Sequence, residues 1–237
     1  MLLFGLFLMK ISVATCQTDL ISSSAGTPHT PTLEAYDLSG KPIPTGANAA
    51  IDGSTMLNEQ FVKGVVKFKN GQQYKDVLLN LSLTTNELYF KNDSTTLKFF
   101  YPVDEFALTG SNEKDGKIIY FKSGFPKVGA NTDGALYQVL SSGSKAYLLK
   151  YIYKTAQEHY EYGGAQKKEY VLRERYYVFD VVNHIMSEIN LNGNSIKKSL
   201  PDYTGYIERY ASNNKVNLKK EENIKSLIDY INEQSKG

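Results

Sequence analysis

Cysteine, tryptophan and histidine are scarce in this chain of 237 residues, which has one cysteine, no tryptophan and three histidines. Because Cys16 lies in an apolar N-terminal segment, a folded body behind that segment has no thiol. Disulfides, thiolate catalysis and cysteine-ligated metal are therefore excluded for the body. The histidines share no metal-ligand spacing, and neither a phosphate-binding glycine loop nor a serine-nucleophile motif occurs. The sequence predicts no metal site and no cofactor.

Charge of one sign is equally scarce. The 27 basic and 25 acidic residues leave a net charge of +2 at pH 7. Nucleic acids and anionic membranes bind to concentrated basic fields, so we expect no nucleic-acid partner. With 41% apolar and 22% charged residues, the composition is that of a globular protein with a substantial core.

The segment 1–17 has the features of an export signal. Its apolar run of eight residues, Leu2–Met9, is far shorter than the ~20 residues that span a bilayer, and small residues follow it, as in a secretory signal. Cleavage after Cys16 would leave Gln17 as the first mature residue. Cleavage before Cys16 would leave its thiol for acylation, since Val13-Ala-Thr-Cys16 is similar to a degenerate lipobox.

We therefore expect an exported protein that is periplasmic, secreted or on the cell surface. A lipid on Cys16 would be its only membrane contact. The alternative is a cytosolic protein whose N-terminal segment packs into the core.

Residues 18–55 have the composition of a tether. Prolines disfavour both a helix and a central strand, and a segment of proline, glycine and serine has little to bury. The prolines of this segment are Pro28, Pro31, Pro42 and Pro44. The sequence predicts a proline- and glycine-rich tether between the signal and the folded body.

Residues 56–195 show the period-two alternation of antiparallel strands. Apolar residues alternate with lysines from Phe61 onward, and Asn70-Gly71 is the pair that most readily forms a type I′ hairpin turn. Further short strands follow at spacings of roughly ten residues. The pattern predicts an antiparallel meander that closes into a small barrel or sandwich. The polar segment 155–168, with its Gly163-Gly164 pair, is predicted to be a protruding loop.

Helical spacing replaces the alternation in residues 196–237. Pro201 can open a first helix over about residues 202–212, and Asn217 is a good N-cap for a second helix. One face of the second helix is aliphatic and contains Ile224, Leu227, Ile228 and Ile231. We expect this helical pair to pack on the β body. The predicted fold class is α+β, mainly β, with an antiparallel meander, small barrel or sandwich and two C-terminal α-helices.

The leading functional hypothesis is non-catalytic binding. Fourteen of the 18 tyrosines lie from Tyr120 onward, and tyrosine rings beside cations can stack on sugars or anchor a protein partner. We therefore expect an exported envelope or periplasmic module that binds a protein or a saccharide. The candidate surface consists of Tyr160, Tyr162, Tyr170, Arg173, Arg175, Tyr176 and Tyr177. The structural alternative is that these are ordinary cross-strand aromatics covering a sheet.

The alternative functional hypothesis is a secreted hydrolase. Paired carboxylates can act as acid and base in glycoside hydrolysis when the fold sets them at the right separation in a cleft. The candidates are Glu158, His159, Glu161, Asp180 and His184. Because charged loop residues are usually just solvated, the sequence assigns no catalytic residue.

Several segments of the body point to a family. The run Phe61-Val-Lys-Gly-Val-Val-Lys-Phe-Lys-Asn-Gly-Gln-Gln-Tyr74, with Asn86-Glu-Leu-Tyr-Phe90 and Asn217-Leu-Lys-Lys-Glu-Glu-Asn-Ile224, resembles uncharacterised exported proteins common in the Bacteroidota. The resemblance covers most of residues 60–232. It implies export and a β-rich body, and it adds no catalytic residue because that family has no established activity.

Intact mass spectrometry of the protein purified from its native envelope tests the export signal. We expect a mature chain that begins at Gln17, or one that begins at an acylated Cys16, because both cleavages follow the apolar run. A chain that still begins at Met1 would contradict export.

Overall fold

Twelve strands and three α-helices are found in the computed structural model, which describes residues 40–42, 51–109, 118–160 and 166–234. The predicted α+β, mainly β fold class is confirmed. The strands are β1 (Gly40–Pro42), β2 (Ile51–Asp52), β3 (Val62–Phe68), β4 (Gln73–Ser82), β5 (Glu87–Asn92), β6 (Thr95–Phe99), β7 (Val103–Leu108), β8 (Ile119–Lys122), β9 (Tyr137–Ser141), β10 (Ala146–Tyr160), β11 (Gln166–Asp180) and β12 (Ile185–Ile189). The predicted signal 1–17, with Cys16, lies outside the described residues, as does most of the predicted tether.

The strands form one sheet, mostly antiparallel, in the order β1-β6-β5-β4-β3-β7-β8-β9-β10-β11-β12, and β2 pairs with β11 in parallel. The predicted meander is therefore present, but in the described part of the chain the sheet stays open, with β1 and β12 at its ends. It nevertheless curls, because the backbone N–H of Lys154 on β10 donates to the carbonyl of Leu83, just after β4, at 2.9 Å. The curl brings the sheet near to the barrel that the sequence suggests.

Two local features allow the curl. An extra residue of β4 bulges opposite β3, where Asp76 has a φ of 58°, and a bulge bends a strand and increases its twist. Gly64 of β3 lies so close to β7 that an added Cβ would be 2.3 Å from the carbonyl oxygen of Ala107. Only glycine fits there.

The hairpin predicted at Asn70-Gly71 is present, but its turn type differs. The N–H of Phe68 donates to Gln72 and the N–H of Gly71 donates back to Phe68, both at 2.9 Å, and Gly71 has a φ of 87° while Asn70 has no positive φ. This is a three-residue loop with a glycine bulge rather than a type I′ turn. Asn70 supports the turn through its side-chain oxygen, which accepts a hydrogen bond from the N–H of Gln72 at 3.0 Å.

The inside of the curl contains a core rich in phenylalanine. Phe90 and Phe99 stack with their centroids 4.4 Å apart, as do Phe106 and Phe121 at 4.7 Å. Phe68 packs edge-on against Phe99 at 5.1 Å. Aromatic pairs of this kind add stability beyond their buried area.

Part of the predicted tether is joined to the sheet. β1 is an edge strand, which is where a proline such as Pro42 is tolerated. Ahead of β3, the carbonyl of Thr55 accepts from the N–H of Leu83 at 2.8 Å. The buried Asn80 side chain pairs with both backbone groups of Asn58, accepting at 3.2 Å and donating at 2.8 Å.

The polar segment 155–168 was expected to be a loop, and this prediction is wrong for most of its length. β10 continues to Tyr160 and β11 begins at Gln166, so the strands form a long hairpin whose connection, 161–165, lies outside the described residues. Glu158 and Lys168 face each other across the ribbon at 2.5 Å. A ribbon that is polar on both faces has no apolar alternation, so periodicity could not reveal it.

Three α-helices follow the sheet instead of the two expected: α1 (Gly193–Ser199), α2 (Thr204–Asn214) and α3 (Glu221–Glu233). Asn192 caps α1 by accepting from the N–H of Ser195 at 2.9 Å. Asn217 does not cap α3, since its side chain accepts from Lys219 and the helix begins four residues after it. Within the described ranges, no helix is long and apolar enough to cross a membrane.

The helices bury their apolar faces on β10, β11 and β12. Their contacts form a second core, whose buried members are Ala146, Leu148, Val178, Ile189, Ile196, Leu200, Ile207, Ile224, Leu227, Ile228 and Ile231. The four aliphatic residues predicted for the last helix are all in this core.

The end of α3 is joined to the β9–β10 turn by side-chain hydrogen bonds. The Asn232 carbonyl oxygen accepts from the N–H groups of Lys145 and Ala146 at 3.1 and 3.0 Å, and its amide donates to the carbonyl of Ala146 at 2.9 Å. The buried Lys145 ammonium donates to the carbonyls of Ile231, at 3.1 Å, and Gln234. These bonds supply partners for backbone N–H groups at the end of the turn and for the carbonyls of Ile231 and Gln234 at the end of the helix.

Asn232→Ala tests this joint. The substitution removes three hydrogen bonds and leaves the buried backbone groups at Lys145 and Ala146 without partners, so we expect a loss of about 2–4 kcal/mol in the free energy of unfolding. Asn223→Ala on the same helix is the control, because that amide makes one exposed bond to Asn217. Urea unfolding measures both variants. Equal losses would contradict the role given to Asn232.

Candidate binding cavity

The residues of the predicted tyrosine surface do not come together. Tyr162 lies outside the described residues. Successive strand residues point to opposite faces, so the register of β10 and β11 places Tyr160, Tyr170 and Tyr176 on one face. The other face receives Arg173, Arg175 and Tyr177. Tyr160 is 73% exposed near the end of the hairpin, whereas Tyr177 is buried.

Two of these residues are used for packing. The Tyr176 hydroxyl donates to Glu221 at the start of α3, at 2.7 Å, and Lys150 pairs with the same carboxylate at 2.7 Å. Burial raises the pKa of Tyr176, and so do its hydrogen bonds to the carboxylates of Glu221 and Glu174. On the opposite face, Arg175 donates to the Tyr153 hydroxyl at 3.1 Å and covers its ring. Tyr176 thus links β11 to α3, and Arg175 links β11 to β10.

The predicted carboxylate pair is also separated. Asp180 pairs with Ala146 at one end of the hairpin, and Glu158 lies near the other end, at a distance of roughly 40 Å along β10. Asp180 is buried and accepts from Asn183 through both carboxylate oxygens, and His184 stacks edge-on against Phe179. His159 lies beside Glu169 on the hairpin, and Glu161 is outside the described residues.

A cavity of about 220 Å³ opens instead at one end of the curl. It forms where the 100–102 connection between β6 and β7 meets the β3–β4 turn, the start of β5 and the loop before β9. Its lining residues are Lys69, Asn86, Glu87, Leu88, Lys98, Phe99, Phe100, Tyr101, Pro102, Val103, Gly134 and Leu136. None of these lining residues belongs to a site predicted from the sequence.

Backbone and amide hydrogen bonds hold the walls of the cavity in place. Asn86 adopts a φ of 56° in the β4–β5 turn, a conformation that asparagine tolerates well. Its side chain accepts from the N–H of Leu136 at 2.7 Å and donates to the Leu136 carbonyl at 3.1 Å. On the other wall, the N–H of Lys69 donates to the carbonyl of Pro102 at 3.1 Å. Segments far apart in sequence are thereby fixed together.

The cavity has an apolar floor and an aromatic rim. Phe99 and Leu88 are buried in the floor, whereas Phe100 and Tyr101 are 58% and 45% exposed. The two exposed rings meet edge to face at 5.6 Å, and Tyr101 also lies against Phe68 at 6.3 Å. The sequence does contain a signal for this rim. Three consecutive aromatics, 99–101, cannot all face the core in an alternating strand.

The described lining residues contribute two ammonium groups and one carboxylate to the cavity. Lys98 forms an ion pair with Glu87, and the second oxygen of Glu87 accepts from the Tyr89 hydroxyl at 3.2 Å. Lys69 forms no ion pair within the described part of the chain. A concave site with a few convergent polar groups is typical of ligand binding. Paired-carboxylate hydrolysis needs a second acid, and the described lining residues contain one carboxylate, that of Glu87.

A second titratable cluster lies on the outer face of the sheet. Lys67, Glu105 and Lys122 are directly opposite one another on β3, β7 and β8. Glu105, 7% exposed, accepts from Lys67 at 3.2 Å, from Lys122 at 2.8 Å and from the Tyr120 hydroxyl. Burial raises the pKa of Glu105, but the bonds to Lys122, Tyr120 and Lys67 outweigh it and the net pKa is lowered. Lys67, Lys122 and the Tyr120 hydroxyl each have Glu105 as a hydrogen-bond partner. We therefore assign this cluster a structural role. The described residues contain no group of three or more potential metal-ligating side chains.

Glu105→Gln tests this assignment through its pH dependence. The pKa of Glu105 in the folded protein is below that of an ordinary glutamate. The charged carboxylate therefore stabilises the folded state at neutral pH, and this stabilisation is lost as the pH falls below about 4.3 and through the pKa of Glu105 in the folded state. We expect the variant to lose about 1–3 kcal/mol at pH 7, and the difference from wild type to shrink at pH 3. Urea unfolding at both pH values measures this. Glu188→Gln, with a carboxylate 3.6 Å from Arg175 and 49% exposed, is the control, and a difference that is constant with pH would contradict the charge-based origin.

Comparisons of the chain with models of protein families, with curated proteins and with solved structures find no match.

Proposed function

We propose that the chain is an exported, non-catalytic binding module that takes a saccharide in the cavity beside Phe100 and Tyr101. The observation that supports this most directly is the pair of exposed aromatic rings at the rim of a concavity that is also lined by charged side chains. Export is supported by the apolar segment 1–17 and by a body without cysteine.

The chemistry of the cavity suits a sugar ring. A pyranose has a face of C–H groups, which packs on an aromatic ring, and a rim of hydroxyls that both donate and accept hydrogen bonds. Phe100 and Tyr101 offer the apolar contact. Lys69 supplies donors and the Tyr101 hydroxyl can both donate and accept, and both residues line the same cavity.

The size and rigidity of the cavity also favour a small ring. Its volume of about 220 Å³ is below the ~300–1,000 Å³ of sites for larger ligands, so it suits one sugar unit with the remainder of a chain outside. The Asn86 bonds to Leu136 hold one wall in place before binding, and a preformed site loses less conformational entropy when it binds. The hydrolase alternative has no comparable support, because its carboxylates are separated along the hairpin.

The double substitution Phe100→Ala with Tyr101→Ala tests the proposal. We expect wild type to bind at least one member of a panel of neutral and acidic hexoses, measured by saturation-transfer NMR and titration. The double variant should bind about 5–100-fold more weakly, because it loses two ring contacts. Circular dichroism and thermal unfolding establish that it is folded.

Tyr160→Ala is the matched control, since Tyr160 is a ring of 73% exposure far from the cavity. It should bind as wild type does. The proposal fails if no sugar binds, or if sugar binding persists unchanged in the folded double variant.

A further inference from the structure

We infer that the sugar taken by this cavity carries one negative charge. This inference rests on the proposed saccharide function and specifies its ligand class. It starts from the balance of charges in the cavity, where the two lysines and one glutamate among the described lining residues leave a net charge of +1.

The single carboxylate of the cavity is already occupied. One oxygen of Glu87 contacts the Lys98 ammonium, and the other accepts from the Tyr89 hydroxyl. Its charge is therefore offset at short range, and it opposes the approach of an anion only weakly. The Lys98 ammonium is engaged for the same reason, so it is not the group that selects the ligand.

Lys69 is the cation that an anionic ligand would meet. Its ammonium takes part in no ion pair or side-chain hydrogen bond of the described residues. Its backbone is fixed, since the Lys69 N–H donates to the carbonyl of Pro102, the residue that follows the rim ring Tyr101. Tyr101 in turn contacts Phe68, which precedes Lys69 in sequence. The Lys69 side chain therefore extends from a backbone position that is held beside the aromatic rim.

A ligand anion on the sugar would gain a charge-assisted hydrogen bond from this ammonium, which a neutral sugar lacks. One negative charge balances the net charge of the cavity, whereas a phosphate monoester carries about −1.5 to −2 at pH 7 and exceeds it. Both a carboxylate, as in a uronic acid, and a sulfate ester carry one negative charge. The concave wall strengthens the interaction because it limits access of water.

The test compares sugars that differ only in charge. Galactose, galacturonic acid and galactose 6-sulfate, with the corresponding glucose and mannose forms, are titrated against wild type at low ionic strength. We expect the acidic form of the sugar that binds to bind at least about threefold more tightly than its neutral form, as for a partly exposed ion pair. The preference should weaken in 0.5 M salt, which screens the charges. The carboxylate and sulfate arms distinguish the two sources of the charge.

Lys69→Gln is the decisive variant, and Lys219→Gln, an exposed lysine before α3, is its control. The first should bind acidic and neutral sugars equally, while the second should keep the preference. If neutral sugars bind wild type as tightly as acidic ones, or if the preference survives in Lys69→Gln, the charge inference is wrong and the saccharide function stands. If no sugar binds, or if binding does not depend on Phe100 and Tyr101, both are wrong.

Discussion

Three asparagine side chains join separate segments of the chain to the sheet by the same pair of hydrogen bonds. Asn80, Asn86 and Asn232 each accept from a backbone N–H and donate to the carbonyl of the same residue, at positions 58, 136 and 146 respectively. Asn232 also accepts from the N–H of Lys145. An amide that does this supplies the donor and acceptor of a missing strand neighbour. Buried backbone groups need such partners, and these amides supply them where the loops and the last helix lie against the sheet.

A second constraint on the sheet is that its apolar face must be covered. The curl covers part of this face by enclosing the phenylalanine core, and the bulge at Asp76 and the close approach at Gly64 allow that bending. The helices cover strands β10 to β12. The cavity lies at the end of the curl, where loops replace strands and the apolar floor reaches the surface.

Local features of the sequence predicted much of this fold and little of the site. Alternation revealed the meander, because a strand with one buried face alternates wherever it lies. The same criterion failed at the outer half of the β10–β11 hairpin, about residues 155–168, which is polar on both faces, and the short α1 was not predicted. Asn217 was predicted to be an N-cap, but its side-chain oxygen accepts from the N–H of Lys219 in a turn ahead of α3. Capping a helix and closing a turn are alternative local hydrogen bonds for asparagine, and residue spacing does not decide between them.

The sequence by itself determined the class of the fold, the positions of most strands and the aliphatic face of the last helix, since each depends on neighbours within a few residues. The tertiary structure alone decided which tyrosines are buried and where the cavity lies. Lys69, Asn86, Phe100 and Gly134 come from four separate segments, and only the curl and the Asn86 bonds to Leu136 bring them together. The same curl and register separate Glu158 from Asp180, because residues on one hairpin keep the distance that their strand imposes.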